Sequence, residues 1–266
     1  MERLMKVDIF YFSPTGTTKK YIEGVTEGIN SDTQLIDITS PGSREKPVDI
    51  TGDIVIWAFP VYGGRIPKVA LDYFRKLQGN KTPLVIIVVY GNVSEGVALN
   101  QAVGIGTKNG FRFFSGGAFV AEHSYASHEV NVALGRPNTN DLVFAKNYGE
   151  YLRTKWEKRD FEIPELNTSL FLQIIKNIPY STSKRPVKRA NVNMEKCVKC
   201  YICSAVCPVY AISEKNLEID TNKCIQCYAC SKNCPNDARD RGFSYSYLGK
   251  IFSKLGRKLK ENKIYY

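Results

Sequence analysis

The chain has 266 residues, 43% of them apolar and 24% charged, which excludes a disordered or fibrous protein and leaves room for one large domain and a smaller one. No apolar run approaches the ~20 residues of a membrane-spanning helix. The opening MERLMKVDIF turns straight into a strand-like run rather than resembling a signal peptide, so a cytoplasmic protein is expected. The formal net charge of +11 is high, and six of those excess charges fall in the last 26 residues.

Five short runs, 6–12, 33–39, 53–59, 83–90 and 111–121, are rich in β-branched and aromatic residues, and several are apolar throughout. Such runs predict strands buried on both faces, hence a parallel sheet. Helical spacing puts Tyr21, Ile22, Val25 and Ile29 on one face of 17–29, and Ala70, Phe74 and Leu77 on one face of 67–77. A weaker helix is predicted over 95–103. A fourth, capped by Asn140 or Asp141, runs to about residue 158 with Leu142, Ala145 and Leu152 inward. Strands alternating with helices predict an α/β fold, a doubly wound five-stranded parallel sheet over residues 1–158. Residues 159–190 read as a linker with a short apolar helix near 170–178, followed by the basic, proline-bracketed PYSTSKRPVKRA.

All eight cysteines lie between Cys197 and Cys234. Cys197, Cys200, Cys203 and Cys207 recur 27 residues on as Cys224, Cys227, Cys230 and Cys234, each copy spelling C-x2-C-x2-C-x3-C-P. This is the iron–sulfur run of bacterial ferredoxins, in which the fourth cysteine of each copy ligates the other cluster. Cys197, Cys200, Cys203 and Cys234 are thereby assigned to one [4Fe–4S] cluster, and Cys224, Cys227, Cys230 and Cys207 to a second. Zinc and disulfides are the alternatives: structural zinc takes ligands in pairs, and a triple C-x2-C-x2-C leaves one over in each half. Residues 191–240 therefore resemble a two-cluster ferredoxin, implying a small α+β domain. Val198, Tyr201, Ile202, Val206, Ile225 and Tyr228 would shield the clusters or serve as plain core.

The stretch FSPTGTT (12–18) lies where the first strand ends and the first helix begins. It has neither a Walker nor a GxGxxG spacing. The hydroxyls of Ser13, Thr15, Thr17 and Thr18, the close approach allowed by Gly16, and the helix N-terminus suit a monophosphate dianion; a serine/threonine-rich capped turn is the bland alternative. Ligands of doubly wound sheets bind beyond the carboxyl ends of the strands, where FPVYGGRIP (59–67) and YGNVSEG (90–96) also fall.

Three such loops resemble flavodoxin, and that resemblance implies FMN. It places the phosphate in the first loop and the isoalloxazine ring between the other two. Tyr62 is the implied stacking residue, and Gly63, among Pro60, Val61 and Gly64, the backbone meeting the flavin edge. Tyr90, Gly91 and Asn92 would hold the pyrimidine side. His123 in AEHSY would reach the ring edge, with a structural role as its alternative. The second loop lacks a tyrosine common in flavodoxins, which leaves Tyr62, Tyr90 or Tyr125 to cover the outer face. Arg65 and Lys68 stand where low-potential flavodoxins place acids, which implies a weaker reductant, with electrons running from clusters to FMN.

Residues 241–266 read as a basic amphipathic helix, with Leu248, Ile251, Phe252, Leu255 and Leu259 on one face. Packing on the ferredoxin domain is favoured over contact with a membrane surface. Its lysines would draw redox partner proteins with acidic docking surfaces. No base-reading module appears, so no nucleic-acid partner is expected. The whole resembles the flavodoxin–ferredoxin fusion proteins of anaerobes, which implies intracellular electron transfer between two clusters and FMN. The alternative is an FMN-dependent reductase of a small acceptor fed by its own ferredoxin half, with Arg65, His123 and Arg136 available to an anionic substrate.

Overall fold

The computed structural model describes residues 4–45, 48–127, 130–163 and 187–266. The helix expected near 170–178 lies outside them. Five parallel strands, β1 (Lys6–Tyr11), β2 (Asp32–Asp37), β3 (Ile54–Pro60), β4 (Pro83–Tyr90) and β5 (Arg112–Val120), stand in the order β2-β1-β3-β4-β5. That is the order of the flavodoxin-like doubly wound sheet. β3 and β4 are buried almost throughout, while β2, at an edge, is mostly exposed.

Side chains alternate between the two faces of the sheet. Phe10, Val55, Trp57, Ile86 and Val88 meet α2 (Lys68–Phe74) and α3 (Ala98–Lys108) on one side. Ile9, Ile56, Ile87 and Val89 meet α1 (Thr17–Ile29) and α4 (Thr139–Glu157) on the other. α1 and α4 cross so closely that a Cβ on Gly28 would fall 1.8 Å from the Lys146 carbonyl oxygen. α4 begins at an Asn138 capping box, two residues before the expected Asn140, and Asp141 closes the box from the third helical position instead of capping the helix itself.

Two further expectations need correction. The third helix starts at Ala98 and runs to Lys108 rather than spanning 95–103, because Glu95 and Gly96 belong to a turn and Gly106 is needed inside the helix, where it packs on Leu84. The C-terminal segment is not one helix either.

Past two short helices of the cysteine region, α5 (Ile202–Ala205) and α6 (Ala229–Lys232), α7 spans only Ser246–Leu255. The chain then extends and pairs as β6 (Lys263–Tyr265), antiparallel, on the outer edge of β5. The sheet therefore has six strands. The Ser115 hydroxyl donates to the Tyr265 carbonyl at 3.0 Å, and the Val120 N–H donates to Asn262 Oδ1 at 2.8 Å, so the tail closes an edge that would otherwise stand unpaired. Ile251, Leu255 and Leu259, expected on the inward face, are exposed. Among the described residues no helix is long and apolar enough to cross a membrane.

Candidate functional site

The loop from β1 into α1 is built to present N–H groups. Ser13 donates its N–H to Thr39 Oγ1 at 2.8 Å, and its own hydroxyl oxygen accepts from the Lys19 N–H at 3.0 Å. That expected phosphate ligand thus shapes the loop and does not line the cavity. Gly16, at φ 78°, begins α1 with no side chain of its own to cap it, so with Lys19 served by Ser13 the N–H groups of Thr17 and Thr18 are left to the cavity side, and no acid occupies the first turn. N–H groups left over at the positive end of a helix suit an anion. The Thr15 and Thr17 hydroxyls lie 3.3 Å apart, and both line the wall with Pro14 and Thr18.

From there a cavity of about 330 Å³ runs over the carboxyl ends of β3, β4 and β5. Tyr62 and Arg65 exchange backbone hydrogen bonds across Gly63 and Gly64, whose φ values of 59° and 75° make the two-residue turn that glycine pairs favour. Pro60, Val61, Tyr62 and Gly63 form one wall. Gly64 stands behind it, and its carbonyl accepts the Val97 N–H at 2.8 Å, tying this loop to the next. Tyr90 and Gly91 form a second wall. A Cβ on Gly91 would fall 2.2 Å from the His123 ring, so glycine here is what lets His123 close in. His123 Nδ1 accepts the Tyr125 N–H at 3.2 Å, which leaves Nε2 to carry the proton in the neutral ring.

Asn92, expected to reach a flavin, is fully buried and bonded to the tail instead. The outer cover, sought among Tyr62, Tyr90 and Tyr125, comes also from a helix that sequence reasoning did not place here. Leu248, Ile251 and Phe252 of α7 line the cavity, and the Phe252 ring meets His123 edge-on at 4.7 Å. One end of the space is hydroxyls and amides and the other aromatic and apolar, a polarity that fits a phosphate ester of a flat heteroaromatic ring such as FMN.

The cations assigned to the flavin edge are placed otherwise. Arg65 is buried and Lys68 pairs with Asp72 at 2.5 Å, and neither lines the cavity. Arg136 grips Asp141 and donates to the Lys260 carbonyl at 2.7 Å, holding the tail.

The eight cysteines sort around two small voids. Cys197, Cys200, Cys203 and Cys234 line one; Cys207, Cys224, Cys227 and Cys230 line the other. This is the crossed grouping read from the spacing. Among the described residues no three cysteine, histidine or carboxylate side chains converge as for a single metal ion. Each void is bordered by four cysteines, the donor set that a cube of iron and sulfur takes.

Lys199, Tyr201, Gln226 and Tyr228 all have positive φ, and backbone N–H groups of Ala211 and Ala238 donate to Cys207 and Cys234 sulfurs at 3.2 Å each. Burial pushes the Cys230 thiol up to about 12, with the Arg239 charge opposing it. A buried guanidinium bonded to carbonyls and a thiol is costly unless a negative group shares its site, and a thiolate-bound cluster is such a group.

Among the described residues, three polar or aromatic contacts tie the cysteine unit to the sheet unit, beside the packing of Ile225 on the sheet core and of Val187 on Tyr125. Arg44 donates to the carbonyl of Pro208, next to Cys207. Lys232 pairs with Glu122. Tyr125 meets Tyr228 edge-on at 5.2 Å. Gln226, between Cys224 and Cys227, lines both the second void and the large cavity.

Residues 184–239 match the family described as the 4Fe-4S dicluster domain. No curated protein matches the chain. Similar solved structures include a Streptococcus pneumonia TIGR4 flavodoxin, 17% identical with TM-score 0.43, covering 56% of this chain and 99% of that one. Oxidised Flavodoxin 1 from Bacillus cereus is 16% identical with TM-score 0.44, over 56% of this chain and 97% of that one. Fusobacterium nucleatum flavodoxin bound to flavin mononucleotide is 15% identical with TM-score 0.42, over 59% and 99%. A doubly wound sheet in the flavodoxin strand order, joined to a matched 4Fe–4S dicluster domain, gives the chain the architecture of a flavodoxin–ferredoxin fusion.

Proposed function

We propose that the chain is an electron-transfer protein that holds two [4Fe–4S] clusters and FMN and passes single electrons between them. The observation that carries this reading is the shared wall: Gln226 borders both the large cavity and the void of Cys207, Cys224, Cys227 and Cys230. When bound, a cubane exchanges one electron at a time and a flavin one or two. The chain's own residues orient and enclose these groups. Thr15, Thr17 and the start of α1 would hold the phosphate; Tyr62, Gly63, Gly91 and His123 would hold the ring; Phe252 excludes water from it. Cys200 and Tyr201 are exposed, which leaves the void of Cys197, Cys200, Cys203 and Cys234 closest to an outside donor. That donor is proposed to be a redox protein with an acidic face, attracted by the +11 net charge.

The covered cavity favours a relay over a reductase of a small acceptor, because α7 occupies the side from which a substrate would approach and Arg136 is committed to Asp141 and the tail. Anaerobic purification followed by iron, sulfide and flavin analysis tests the reading. Two [4Fe–4S] equivalents and one FMN per chain are expected, with flavin reduction by a protein donor that slows when Cys224 is replaced by serine. A colourless chain after reconstitution, or flavin reduction indifferent to Cys224, overturns it.

A further inference from the structure

The two halves of the cysteine unit repeat each other in backbone conformation and in several of their hydrogen bonds. Tyr201 and Tyr228 have φ 59° and 61°, Lys199 and Gln226 have φ 54° and 53°. The Ser204 hydroxyl donates to the Ile212 carbonyl, and the Ser231 hydroxyl donates to the Arg239 carbonyl. Symmetry of the backbone makes any break in the side chains informative, and one lies at a buried position. Ile212 and its counterpart 27 residues on, Arg239, are 7% and 4% exposed. Ile212 puts an apolar side chain into the wall around Cys207, Cys224, Cys227 and Cys230. Arg239 puts a guanidinium into the wall around Cys197, Cys200, Cys203 and Cys234.

That guanidinium is tightly placed. Nη2 donates to Cys203 Sγ at 3.2 Å and to the Leu217 carbonyl at 2.7 Å, and Nη1 donates to the Ala190 carbonyl at 2.9 Å. Among the described residues no carboxylate pairs with it.

We infer that Arg239 makes the two clusters unequal, raising the reduction potential of the one at Cys197, Cys200, Cys203 and Cys234 above that of its partner. The inference rests on the two-cluster reading. Reduction adds one electron and no proton to a group already negative, and a fixed buried cation stabilises that added charge in a low-dielectric surrounding. A hydrogen bond to a ligand sulfur acts in the same direction. The guanidinium keeps its charge throughout. Its field also reaches Cys230, but its N–H bond goes to Cys203. Ile212 supplies neither charge nor bond to the other cluster. The outer cluster is then the landing site for an incoming electron, and the inner one, next to Gln226 and the large cavity, is harder to reduce and carries it in transit.

The experiment is a redox titration of the full-length, FMN-loaded holoprotein followed by low-temperature electron paramagnetic resonance. Wild type is expected to show two cluster midpoints, with Cys200→Ser altering or removing the signal that appears first. Arg239→Gln, which keeps N–H donors and drops the charge, should lower the one-electron reduction constant of that cluster at least tenfold, about 59 mV. Arg239→Ile should bring the two midpoints together, and Arg239→Lys should keep their order. A single shared midpoint in a protein holding iron and sulfide for two clusters overturns the role of Arg239, as do unmoved midpoints in Arg239→Gln. Iron and sulfide for fewer than two clusters overturns the two-cluster reading instead. Should every Arg239 variant fail to assemble, the wild-type titration with the Cys200→Ser assignment decides alone.

Discussion

Lys260 donates its backbone N–H to Asn92 Oδ1 at 2.8 Å, while the Asn92 amide nitrogen donates to the carbonyls of Gly256 at 2.8 Å and Lys258 at 3.1 Å. One fully buried side chain thus satisfies three backbone groups of the tail, and α7 lies over the cavity because the segment after it is pinned. Leaving such groups unpaired costs about 1–3 kcal/mol. Asn92→Ala is expected to loosen the tail and weaken FMN binding by about tenfold, the equivalent of ~1.4 kcal/mol. Because Asn92 sits at φ 57°, alanine also brings left-handed strain, so Asn92→Gly separates the two effects. Hydrogen exchange of residues 256–265 is the readout. Wild-type protection in Asn92→Gly would show that the latch lies elsewhere.

Gly91→Ala drives a methyl into the imidazole of His123, a backbone-anchored ring already held by Tyr125 and Phe252. Overpacking of this kind costs about 1–3 kcal/mol. The sheet lies below the clash, so the far-ultraviolet circular dichroism should be unchanged while the FMN dissociation constant rises tenfold or more. Gly16→Ala is the contrast. No atom beyond the chain neighbours lies within 4 Å of the added methyl, but φ 78° strains it, and the loss should fall on the phosphate end alone. Riboflavin, which lacks the phosphate, would then bind Gly16→Ala as it binds wild type and bind Gly91→Ala more weakly.

What was legible in the sequence follows from how far apart the partners are. Strands buried on both faces, such as β3 and β4, announce themselves as unbroken apolar runs, and α1 and α4 by their inward stripes, because each signal is local. The crossed grouping of cysteines was legible because one half of the cysteine region repeats the other. The tail was not: its apolar spacing continues past Gly256, and a three-residue strand has no pattern of its own. What ends the helix is the pull of Asn92, Ser115 and Val120, more than 100 residues away. Asn92 itself was misassigned for the same reason, since its partner carbonyls are invisible from its own loop. Arg239, by contrast, could have been found by laying one cysteine half over the other and asking why isoleucine becomes arginine.

Phe252 is the part of the cover whose removal is cleanest to read. Its ring contacts His123, Tyr125 and Phe243, none of them a cysteine or a phosphate-loop residue. Phe252→Ala should keep both clusters and retain the flavin, yet expose it. Flavin fluorescence should rise, and oxygen should reoxidise the reduced protein several-fold faster. Reoxidation at the wild-type rate would mean that α7 is not what shields the cavity.

The pair Glu122–Lys232 joins the wall of the cavity to the helix that carries Cys230, and it titrates in a defined direction. Burial pushes the Glu122 carboxyl up, but the Lys232 ammonium and the Gly135 N–H outweigh it, and the carboxyl is held below its ordinary value. A depressed folded value means that the stabilisation is complete above the unfolded carboxylate's pKa and is lost as pH falls through the folded one. The clamp should hold at neutral pH and fail only in acid. For a partly buried ion pair the contribution is about 1 kcal/mol. Acid also attacks iron–sulfur clusters, so the quantity to measure is the difference in unfolding free energy between wild type and Glu122→Gln. That difference should be constant above about pH 5, where carboxylates are ionised, and shrink below it. Electron transfer into the flavin should slow in Glu122→Gln at neutral pH, since Glu122–Lys232 is the ion pair that fixes the helix carrying Cys230 against the cavity wall. Parallel stability curves down to the acid limit would show that this ion pair is an ornament of the interface rather than one of its clamps.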